Sequence, residues 1–503
     1  MPDPSIIVIG AGLAGLSAGC YGRMNGYSVR IIEQDTRPGG LVTAWERKGY
    51  TIHGNMAFVA GSGPGLAYHR MWRDLGVVPK TRFIEYDHTA VFEGRDGRTL
   101  FLHNDLDKLE RHMKDLSPED AGVIEDFLRG ARVFARFDLP VERAMELLGP
   151  LAKLKLVATK GPLLRAMTKG KKIAVRDFAR RFKSPLLRDA FLAFPAIFSE
   201  DVPLVVIQAF LAWGHLKSAG FPAGGALEFS RSIAARFAEL GGQIEYRERV
   251  VKILIRDGRA VGVRLADGRE MFSDVVVSAA DGRRTIFDLL EGTYADAGIR
   301  KRYRETPVST SVVIVGFGVA RSFPELPWST LGWIIPLEEP VAIGGKAATF
   351  LRPMIYNFDP TLAPPGKTFV RLYLPSDFDY WDALRDKPGE YKAEKEKIAA
   401  TTITLLDKRY PGFASQVEMW DVATPLTFER YTGNWKAASM GWEGTRKTLF
   451  KTMSKTLPGL KNFFMAGQWV EPAGGLPMVA KSGRDVIQLL CKRDGKRFAV
   501  SVG

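Results

Sequence analysis

A run of β-branched residues that ends in a glycine-rich turn near the N-terminus constrains the fold of this chain most strongly. The run Ile6–Ile9 leads into Gly10, and Gly12 and Gly15 complete a Gly-x-Gly-x-x-Gly pattern before a helical segment that reaches Gly26. The first glycine of such a turn permits the tight bend, the second lets the backbone touch a pyrophosphate, and the third lets helix and strand pack closely. The N-terminus of the helix then offers unpaired N–H groups and a positive dipole end to the phosphates. The pattern predicts an α/β fold with a Rossmann-like dinucleotide-binding domain.

The residues that follow this turn indicate which dinucleotide binds. A second strand is predicted over Ser28–Ile32, and Glu33 follows it at the place where an acid takes the ribose hydroxyls. An acid there favours a free 2′-hydroxyl, as in FAD or NAD, over a 2′-phosphate. The segment Arg37–Leu41 then resembles the R-x-G-G extension of flavoproteins with two dinucleotide-binding domains, in which the arginine and the glycines surround the FAD phosphates. No second Gly-x-Gly-x-x-Gly follows a later strand, so the predicted cofactor is FAD.

The positive charge of the chain is concentrated in one segment. The 503 residues carry a net charge of +15, from 71 Lys and Arg against 56 Asp and Glu. Residues 151–190 hold twelve basic and two acidic side chains, a balance of +10, interleaved with leucines. Such a mixture is typical of a segment that contacts an anionic membrane surface, and the alternative is a solvated helical surface over a core. The segment lacks the interleaved aromatic residues of a nucleic-acid stacking platform, so no nucleic-acid partner is expected.

Cysteine and histidine usage argues against disulfide and metal chemistry. Two cysteines, Cys20 and Cys491, suit a reducing compartment, and no two of the six histidines stand at metal-ligand spacing. We identify neither a cleavable leader nor an apolar run of the ~20 residues that span a bilayer. We therefore expect a cytoplasmic protein without a metal site, in peripheral contact with a membrane if the basic segment serves that role. The oligomeric state is not readable.

Two later parts of the chain also carry patterns. Residues 245–278 contain three β-branched runs separated by two Asp-Gly turns, which predicts a three-stranded meander after a helix that ends near Leu240. The C-terminal stretch Phe463–Gly467 reads as a buried strand, followed by a glycine-rich loop and a helix to about Leu490. That loop is a second place where backbone N–H groups could meet a phosphate or the flavin.

Taken together, these blocks resemble the phytoene desaturase family, which also includes carotenoid isomerases and retinol saturases and belongs to the amine-oxidase-like FAD superfamily. The resemblance rests on the glycine turn, on Arg37–Gly40, on Phe221–Gly225 with the meander that ends at Asp281, and on Met465–Gln468. It covers the chain nearly from end to end. It departs from the family at 53–56, where Phe-Asp is often found, and at Gln468, where many relatives carry Asp. These departures bear on the substrate more than on the cofactor.

The resemblance implies a set of FAD contacts. Glu33 would bind the adenosine ribose, Arg37 would lie by the phosphates, and the backbone of Val250 or Val251 would face adenine. Gly467 and Gln468 would lie near the pyrophosphate and ribityl chain, and Leu476–Met478 near the isoalloxazine. The full predicted set is Gly10, Gly12, Leu13, Ala14, Gly15, Glu33, Gln34, Arg37, Gly39, Gly40, Leu41, Val250, Val251, Ala279, Gly467, Gln468, Leu476, Pro477 and Met478.

The same resemblance implies a discontinuous FAD-binding domain with an inserted α+β substrate domain. We assign residues 1–75, 221–300 and 455–503 to the first domain, and residues 76–220 and 301–454 to the second. Within the second domain, the sequence predicts strands over Ser309–Val319 and Thr368–Leu374 and a charged helix near Gly389–Tyr410.

The expected activity is that of an FAD-dependent oxidoreductase acting on a hydrophobic isoprenoid or polyene by hydride exchange with flavin N5. Such chemistry needs a dry, shaped slot, and aromatic residues are available to build one: Phe191, Phe194, Phe198, Phe210, Trp213, Phe221, Trp328, Trp333, Phe350 and Tyr356. His53, Asn55 and Arg352 are candidate catalytic groups, with His215 and Glu429 as further polar candidates. Two alternatives remain: oxidation of an amine or another small molecule, and a non-catalytic lipid escort on the same fold.

Overall fold

A computed structural model of the chain describes residues 3–139, 141–194, 201–327, 330–471 and 475–500. The strands in these ranges are β1 (Ser5–Ile9), β2 (Ser28–Ile32), β3 (Ala44–Arg47), β4 (Tyr50–His53), β5 (Val59–Ala60), β6 (Phe83–Ile84), β7 (His88–Glu93), β8 (Thr99–His103), β9 (Ala219–Pro222), β10 (Gln243–Glu245), β11 (Val250–Arg256), β12 (Arg259–Leu265), β13 (Glu270–Phe272), β14 (Val275–Ser278), β15 (Ser311–Val319), β16 (Trp333–Ile343), β17 (Lys346–Leu351), β18 (Pro353–Ile355), β19 (Thr368–Ser376), β20 (Val417–Ala423) and β21 (Phe463–Met465). The α-helices are α1 (Leu13–Met24), α2 (Ala67–Asp74), α3 (Leu106–Leu116), α4 (Ala121–Arg136), α5 (Pro150–Lys172), α6 (Val175–Ala179), α7 (Pro185–Ala193), α8 (Leu204–His215), α9 (Gly225–Glu239), α10 (Ala297–Glu305), α11 (Phe378–Asp382), α12 (Pro388–Arg409), α13 (Phe413–Gln416), α14 (Pro425–Thr432) and α15 (Leu476–Arg493).

The predicted Rossmann-like α/β unit is built on a five-stranded parallel sheet in the order β10-β2-β1-β14-β21. Alternate residues of β1 face opposite sides of this sheet. Ile6 and Val8 join the core formed with α1, α9 and α15, whereas Ile7 and Ile9 join the core under the meander. Burial on both faces explains why β1 reads as a continuous apolar run. The parallel order brings the carboxyl ends of all five strands to one edge of the sheet.

The meander prediction was partly wrong. Strands β11, β12 and β13 do form an antiparallel three-stranded sheet with both predicted Asp-Gly turns. However, the predicted first run, 245–255, divides into β10 and β11, and the predicted third run, 270–278, divides into β13 and β14. Both β10 and β14 belong to the parallel sheet instead. A run of apolar residues does not reveal where the chain leaves one sheet and enters another, because strands of the antiparallel meander and of the parallel sheet are both rich in β-branched residues.

The other half of the fold combines two four-stranded sheets with helices. One sheet has the order β18-β19-β15-β20 and the other β17-β16-β7-β8. The predicted strands over Ser309–Val319 and Thr368–Leu374 and the predicted charged helix agree with β15, β19 and α12 within two residues. Helices α3, α4, α7 and α8 close a separate apolar core against β8, with Phe127, Phe178 and Phe191 at its centre.

The parallel sheet draws its strands from three separate stretches of the chain. β1 and β2 lie within 1–75, β10 and β14 within 221–300, and β21 within 455–503. Helix α15 returns from the far end of the chain to pack along α1. There, a Cβ at Gly483 would lie 2.2 Å from the Ala14 carbonyl oxygen, so the two helices need a glycine to come this close. The domain limits themselves remain a prediction.

The basic segment forms α5, α6 and α7. Its C-terminal part is largely engaged in ion pairs: Lys169 and Arg181 both pair with Asp126, and Arg180 pairs with Asp177. The N-terminal half of α5 instead exposes apolar side chains, with Leu151 83% and Leu154 67% exposed. Among the described ranges, no helix combines the length and apolarity required to cross a bilayer.

Candidate active site at the carboxyl edge of the parallel sheet

The glycine turn forms an open cradle at the end of β1. Gly10 adopts a φ of +96°, and a Cβ at Gly15 would lie 1.9 Å from the Gly10 carbonyl oxygen, so these two glycines serve the turn and the strand–helix packing. Gly12 differs from both. Its φ of −69° suits any residue, and a Cβ there would have no atom within 4 Å. The structure therefore leaves space over Gly12, as a bound pyrophosphate requires.

Two helix N-termini border the same cavity as this cradle. Within the described residues, neither α1, which begins after Gly12, nor α15, which begins after Gly475, has a side-chain cap. The first N–H groups of a helix have no partner within the helix, and they carry the positive end of its dipole. Two uncapped helices at one cavity make a site for an anion.

Glu33 stands beside the cradle at the end of β2. It is 7% exposed, and its Oε2 and Oε1 atoms accept hydrogen bonds from the backbone N–H groups of Ala11 and Asp35, at 2.6 and 2.8 Å. Burial raises the pKa of Glu33, and the backbone hydrogen bonds oppose that shift. Each carboxylate oxygen keeps a further lone pair, so a ribose hydroxyl finds an oriented acceptor here.

The cradle opens into a cavity of about 1230 Å³. Most of the predicted cofactor residues and two of the candidate catalytic residues lie on its wall. They are Gly10, Gly12, Leu13, Ala14, Glu33, Gln34, Gly39, Gly40, Leu41, Asn55, Val250, Val251, Ala279, Arg352, Gly467, Gln468, Leu476, Pro477 and Met478. Gly15, Arg37 and His53 do not lie on this wall.

Arg37 is turned away from the place predicted for it. Its Nη1 donates to the carbonyl oxygen of Ala44 at 2.9 Å, which ties the loop after β2 to β3. The glycines that follow it do reach the cradle, because a Cβ at Gly40 would lie 3.5 Å from the Cα of Gly12. Arg37 therefore positions the loop, and the backbone of Gly39 and Gly40 covers the N-terminus of α1.

His53 is a packing residue. It is fully buried among the rings of Phe221, Tyr356 and Phe369, and its Nδ1 accepts a 3.4 Å hydrogen bond from the Ala226 N–H. Burial, assisted by the nearby charge of Arg371, lowers the pKa of His53 to about 3. The imidazole is therefore neutral and walled off from the cavity, which removes it as a catalytic candidate.

The buried imidazole predicts a dependence of stability on pH. The pKa of His53 is lower in the folded state than its ordinary value near 6.5. The neutral imidazole therefore makes its full contribution to the free energy of unfolding above pH 6.5, and this contribution is lost as the pH falls towards 3. Between pH 6.5 and 5, the wild type is expected to lose about 2 kcal/mol more unfolding free energy than His53→Leu does. Urea unfolding of both proteins at the two pH values measures this difference. Parallel losses in the two proteins would contradict the assignment.

Asn55 lies on the cavity wall but has its side chain engaged. Its Oδ1 accepts the hydroxyl of Tyr373, and its Nδ2 donates to the Ser439 carbonyl oxygen at 3.1 Å. The loop that carries it is fixed by Arg371, a residue that sequence patterns did not single out. The buried Arg371 guanidinium donates to the carbonyl oxygens of Gly54 and Met56 at 2.7 and 3.0 Å. Arg371 is thus a positioning residue for this part of the wall.

Arg352 and an apolar chamber also belong to this cavity. The Nη2 of Arg352 donates to the Phe194 carbonyl oxygen at 2.5 Å, and burial lowers the pKa of Arg352 to about 10. Of the ten aromatic residues predicted for a substrate slot, Phe194, Phe210, Trp213 and Trp333 lie on the wall. Phe191, Phe221, Phe350 and Tyr356 pack in or against the hydrophobic cores instead, and Phe198 and Trp328 lie outside the described residues.

The two further polar candidates have structural roles. His215 accepts a hydrogen bond from the Leu106 N–H, and Glu429 forms an ion pair with Arg385.

A cluster of five charged side chains on the cavity wall, four of them buried, was not predicted from the sequence. Lys455 lies 2.8 Å from both Glu146 and Glu471, and Lys481 pairs with Asp485. The only local sequence pattern that indicates part of this cluster is the i,i+4 spacing of Lys481 and Asp485 on α15, which is typical of an ion pair on a helix. Lys455 and Glu471 come from the segments on either side of β21, and Glu146 lies 309 residues before Lys455, so only the fold brings the five together.

Comparison with known proteins shows which protein family this chain resembles. Residues 13–488 match the family described as flavin containing amine oxidoreductase. The chain is 26% identical to a chloroplastic prolycopene isomerase of Arabidopsis thaliana over 95% of its own length and 81% of the relative. It is 24% identical to a lycopene-forming phytoene desaturase of Pseudescherichia vulneris, over 96% and 98%. An oxidoreductase structure from Methanosarcina mazei superposes with a TM-score of 0.61 at 16% identity, covering 96% of this chain and 100% of the other.

The family match and the geometry agree. The space over Gly12, the uncapped N-terminus of α1 and the oriented Glu33 carboxylate fit the pyrophosphate and ribose of a dinucleotide. The chain belongs to the flavin containing amine oxidoreductase family, as an FAD-dependent oxidoreductase.

Proposed function

We propose that this oxidoreductase acts on a hydrophobic isoprenoid or polyene lipid, by desaturation, isomerisation or saturation. The observation that carries the proposal is one continuous cavity of about 1230 Å³, which runs from the phosphate cradle to an apolar chamber. The chamber wall includes Phe134, Leu163, Met167, Phe210 and Trp213. The relatives named for prolycopene and phytoene support a substrate of this class.

Each part of the wall has an assigned task in this proposal. The N-terminus of α1 holds the pyrophosphate, Glu33 holds the ribose, and the backbone at Val250 or Val251 faces adenine. Leu476–Met478 then borders the isoalloxazine. When bound, FAD supplies hydride acceptance or donation at its ring. The contribution of the apolar wall is to exclude water and to hold one carbon of a long chain against that ring.

Anaerobic mixing with candidate substrates tests the substrate class. The FAD-loaded protein is mixed with phytoene, prolycopene or retinol while the flavin absorbance and the polyene spectrum are followed. We expect one of these lipids to bleach the oxidised flavin, or to isomerise only when the flavin has first been reduced. Hydrogen peroxide release with a panel of amines, and no response to any polyene, would overturn the proposal in favour of an amine oxidase.

We also propose that the first half of α5 contacts an anionic membrane on the cytoplasmic side. Leu151, Leu154 and Val157 are each more than half exposed, and Lys153 and Lys155 alternate with them. Further along the same helix, Leu163 and Met167 line the chamber. A lipid leaving the bilayer beside Leu154 would thus follow one helix into the cavity. Two buried free cysteines suit the reducing cytoplasm.

Vesicle binding tests this surface. Leu151→Asp with Leu154→Asp is expected to weaken binding to phosphatidylglycerol vesicles at least about 10-fold, because two exposed leucines no longer enter the interface. Lys153→Glu with Lys155→Glu should also weaken binding and reduce its salt sensitivity. Phe272→Asp is the matched control, since Phe272 is 60% exposed on the meander. Equal weakening by the control would refute a specific surface on α5.

A further inference from the structure

The charged cluster on the cavity wall has no task in the function proposed above. Its members are Glu146, Lys455, Glu471, Lys481 and Asp485, and all five line the cavity. The side chains of the last four are at most 8% exposed. Moving charges out of water costs several kcal/mol per ion, and a hydrocarbon ligand offers them nothing in return. A cavity meant only for hydrocarbons gains nothing from charges at this place.

Two groups of the cluster have unused hydrogen-bonding capacity. Asp485 is 0% exposed, and its Oδ1 has no hydrogen-bond partner among the described residues. The Lys481 ammonium donates to the other oxygen, Oδ2, at 2.5 Å. It has three N–H groups, and within the described part of the chain no second acceptor is recorded for it. Within the described residues, Asp485 Oδ1 and the Lys481 ammonium therefore retain hydrogen-bonding capacity side by side on the wall.

The hydrogen-bonding capacity of the recess selects the kind of group that fits. A ligand carboxylate has no proton to donate to Asp485 Oδ1, and a ligand ammonium has no lone pair to accept a hydrogen bond from Lys481 Nζ. A hydroxyl is neutral, and it can donate to Asp485 Oδ1 while it accepts from Lys481 Nζ. Such a hydrogen bond to a charged group is stronger than one between neutral groups.

The recess formed by Lys481 and Asp485 borders the part of the cavity assigned to the isoalloxazine. Lys481 follows Pro477 by four residues on α15, about one helical turn. Tyr68, whose hydroxyl donates to the Met478 sulfur at 3.1 Å, lines the same stretch of wall. If the recess binds the hydroxyl of a substrate, the hydrocarbon chain attached to that hydroxyl would therefore extend past the isoalloxazine.

We propose that Lys481 and Asp485 bind a hydroxyl group of the substrate, which makes the substrate an isoprenoid or polyene alcohol rather than a hydrocarbon. This inference rests on the proposed function, because it presumes that the apolar chamber holds an isoprenoid chain. Lys455, Glu471 and Glu146 act as positioning residues, because Lys455 lies 3.7 Å from Asp485 Oδ2 and is itself held by the two glutamates.

Three probes that differ in one group test the proposal. The FAD-loaded protein is titrated with geranylgeraniol, with its methyl ether, and with the C20 hydrocarbon in which a methyl group replaces the CH2OH group. Binding is followed by the change in the visible flavin spectrum. We expect the alcohol to bind at least about 10-fold more tightly than the ether, because the ether cannot donate to Asp485.

Variants show whether the preference arises in the recess. Lys481→Met with Asp485→Leu removes the pair together and should bring the alcohol-to-ether ratio close to one. Asp485→Asn preserves the volume and should lower the ratio at least about threefold. Lys492→Met, exposed on the same helix, should leave the ratio unchanged.

The outcomes separate the two proposals. Equal binding of all three probes by the wild type, as expected if the recess holds only water, overturns the hydroxyl site and leaves the isoprenoid function standing. A preference for the alcohol that survives in both recess variants also overturns the site. Failure of all three probes to bind overturns the hydroxyl site and the isoprenoid function together.

Discussion

Gly12→Val is expected to yield a folded protein that has lost FAD, with affinity reduced more than about 100-fold. The backbone at Gly12 has φ −69° and ψ 174°, which valine adopts freely, and a Cβ meets no atom within 4 Å. The substitution therefore costs the unliganded fold little. In the loaded protein the valine side chain takes the space of the pyrophosphate. Loss of about two charge-assisted hydrogen bonds, each about 1.5–3 kcal/mol, corresponds to that factor.

Flavin content and thermal stability, measured on the same preparations, check this result. Gly15→Val is the matched control from the same turn, because its Cβ would lie 1.9 Å from a backbone oxygen and should prevent folding. We expect a colourless, cooperatively melting protein for Gly12→Val and little soluble protein for Gly15→Val. A yellow Gly12→Val protein with normal FAD content would show that the pyrophosphate binds elsewhere.

Lys455→Met is expected to lower the free energy of unfolding by about 3–5 kcal/mol. The Lys455 side chain is 4% exposed and lies 2.8 Å from Glu146 and Glu471 and 3.7 Å from Asp485. Removal of the ammonium leaves the buried Glu471 carboxylate without its cation, whereas Asp485 keeps Lys481 and Glu146 is exposed to water. Removal of one partner of a buried ion pair costs more free energy of unfolding than the intact pair contributes, because the other charge stays buried without a partner.

Denaturant unfolding of the FAD-loaded proteins measures the effect, and two further variants interpret it. Lys447→Met removes an exposed lysine nearby in sequence and should change stability by less than about 0.5 kcal/mol. Lys455→Met combined with Glu471→Leu should lose less than the single variant, because one stranded carboxylate is also removed. Equal stability of Lys455→Met and Lys447→Met would show that the cluster is solvated rather than buried.

Much of the cofactor end of the site was accessible from local sequence. The strand limits Ser28–Ile32 were predicted as they stand in the structure, and α1 begins directly after Gly12. The reason is physical: a glycine that must adopt positive φ, or that must admit a neighbouring backbone, is specified by contacts only a few residues away. The aromatic slot was predicted less well, since four of the eight slot residues that the structure describes line the cavity. An aromatic residue in a core and one on a cavity wall have the same local pattern.

Side-chain direction was the least predictable property. Arg37 stands in the expected motif, yet it donates to Ala44 rather than facing the cradle. His53 lies two residues from Asn55, yet its ring points into an aromatic core. These outcomes depend on Ala44, Phe221 and Tyr356, whose positions relative to the motif are set by the sheets and not by the motif.

The dinucleotide cradle, its acid and the flavin family follow from short stretches of residues, because each needs only a strand, a turn and the start of a helix. Short stretches of residues do not predict the apolar chamber, the support that Arg371 gives to Gly54–Met56, or the charged recess. Lys455 meets Glu146 across 309 residues and Arg371 meets Gly54 across 317. Such contacts form only after the parallel sheet has gathered its strands from three parts of the chain, so the groups that would select the substrate come together only when the whole chain folds.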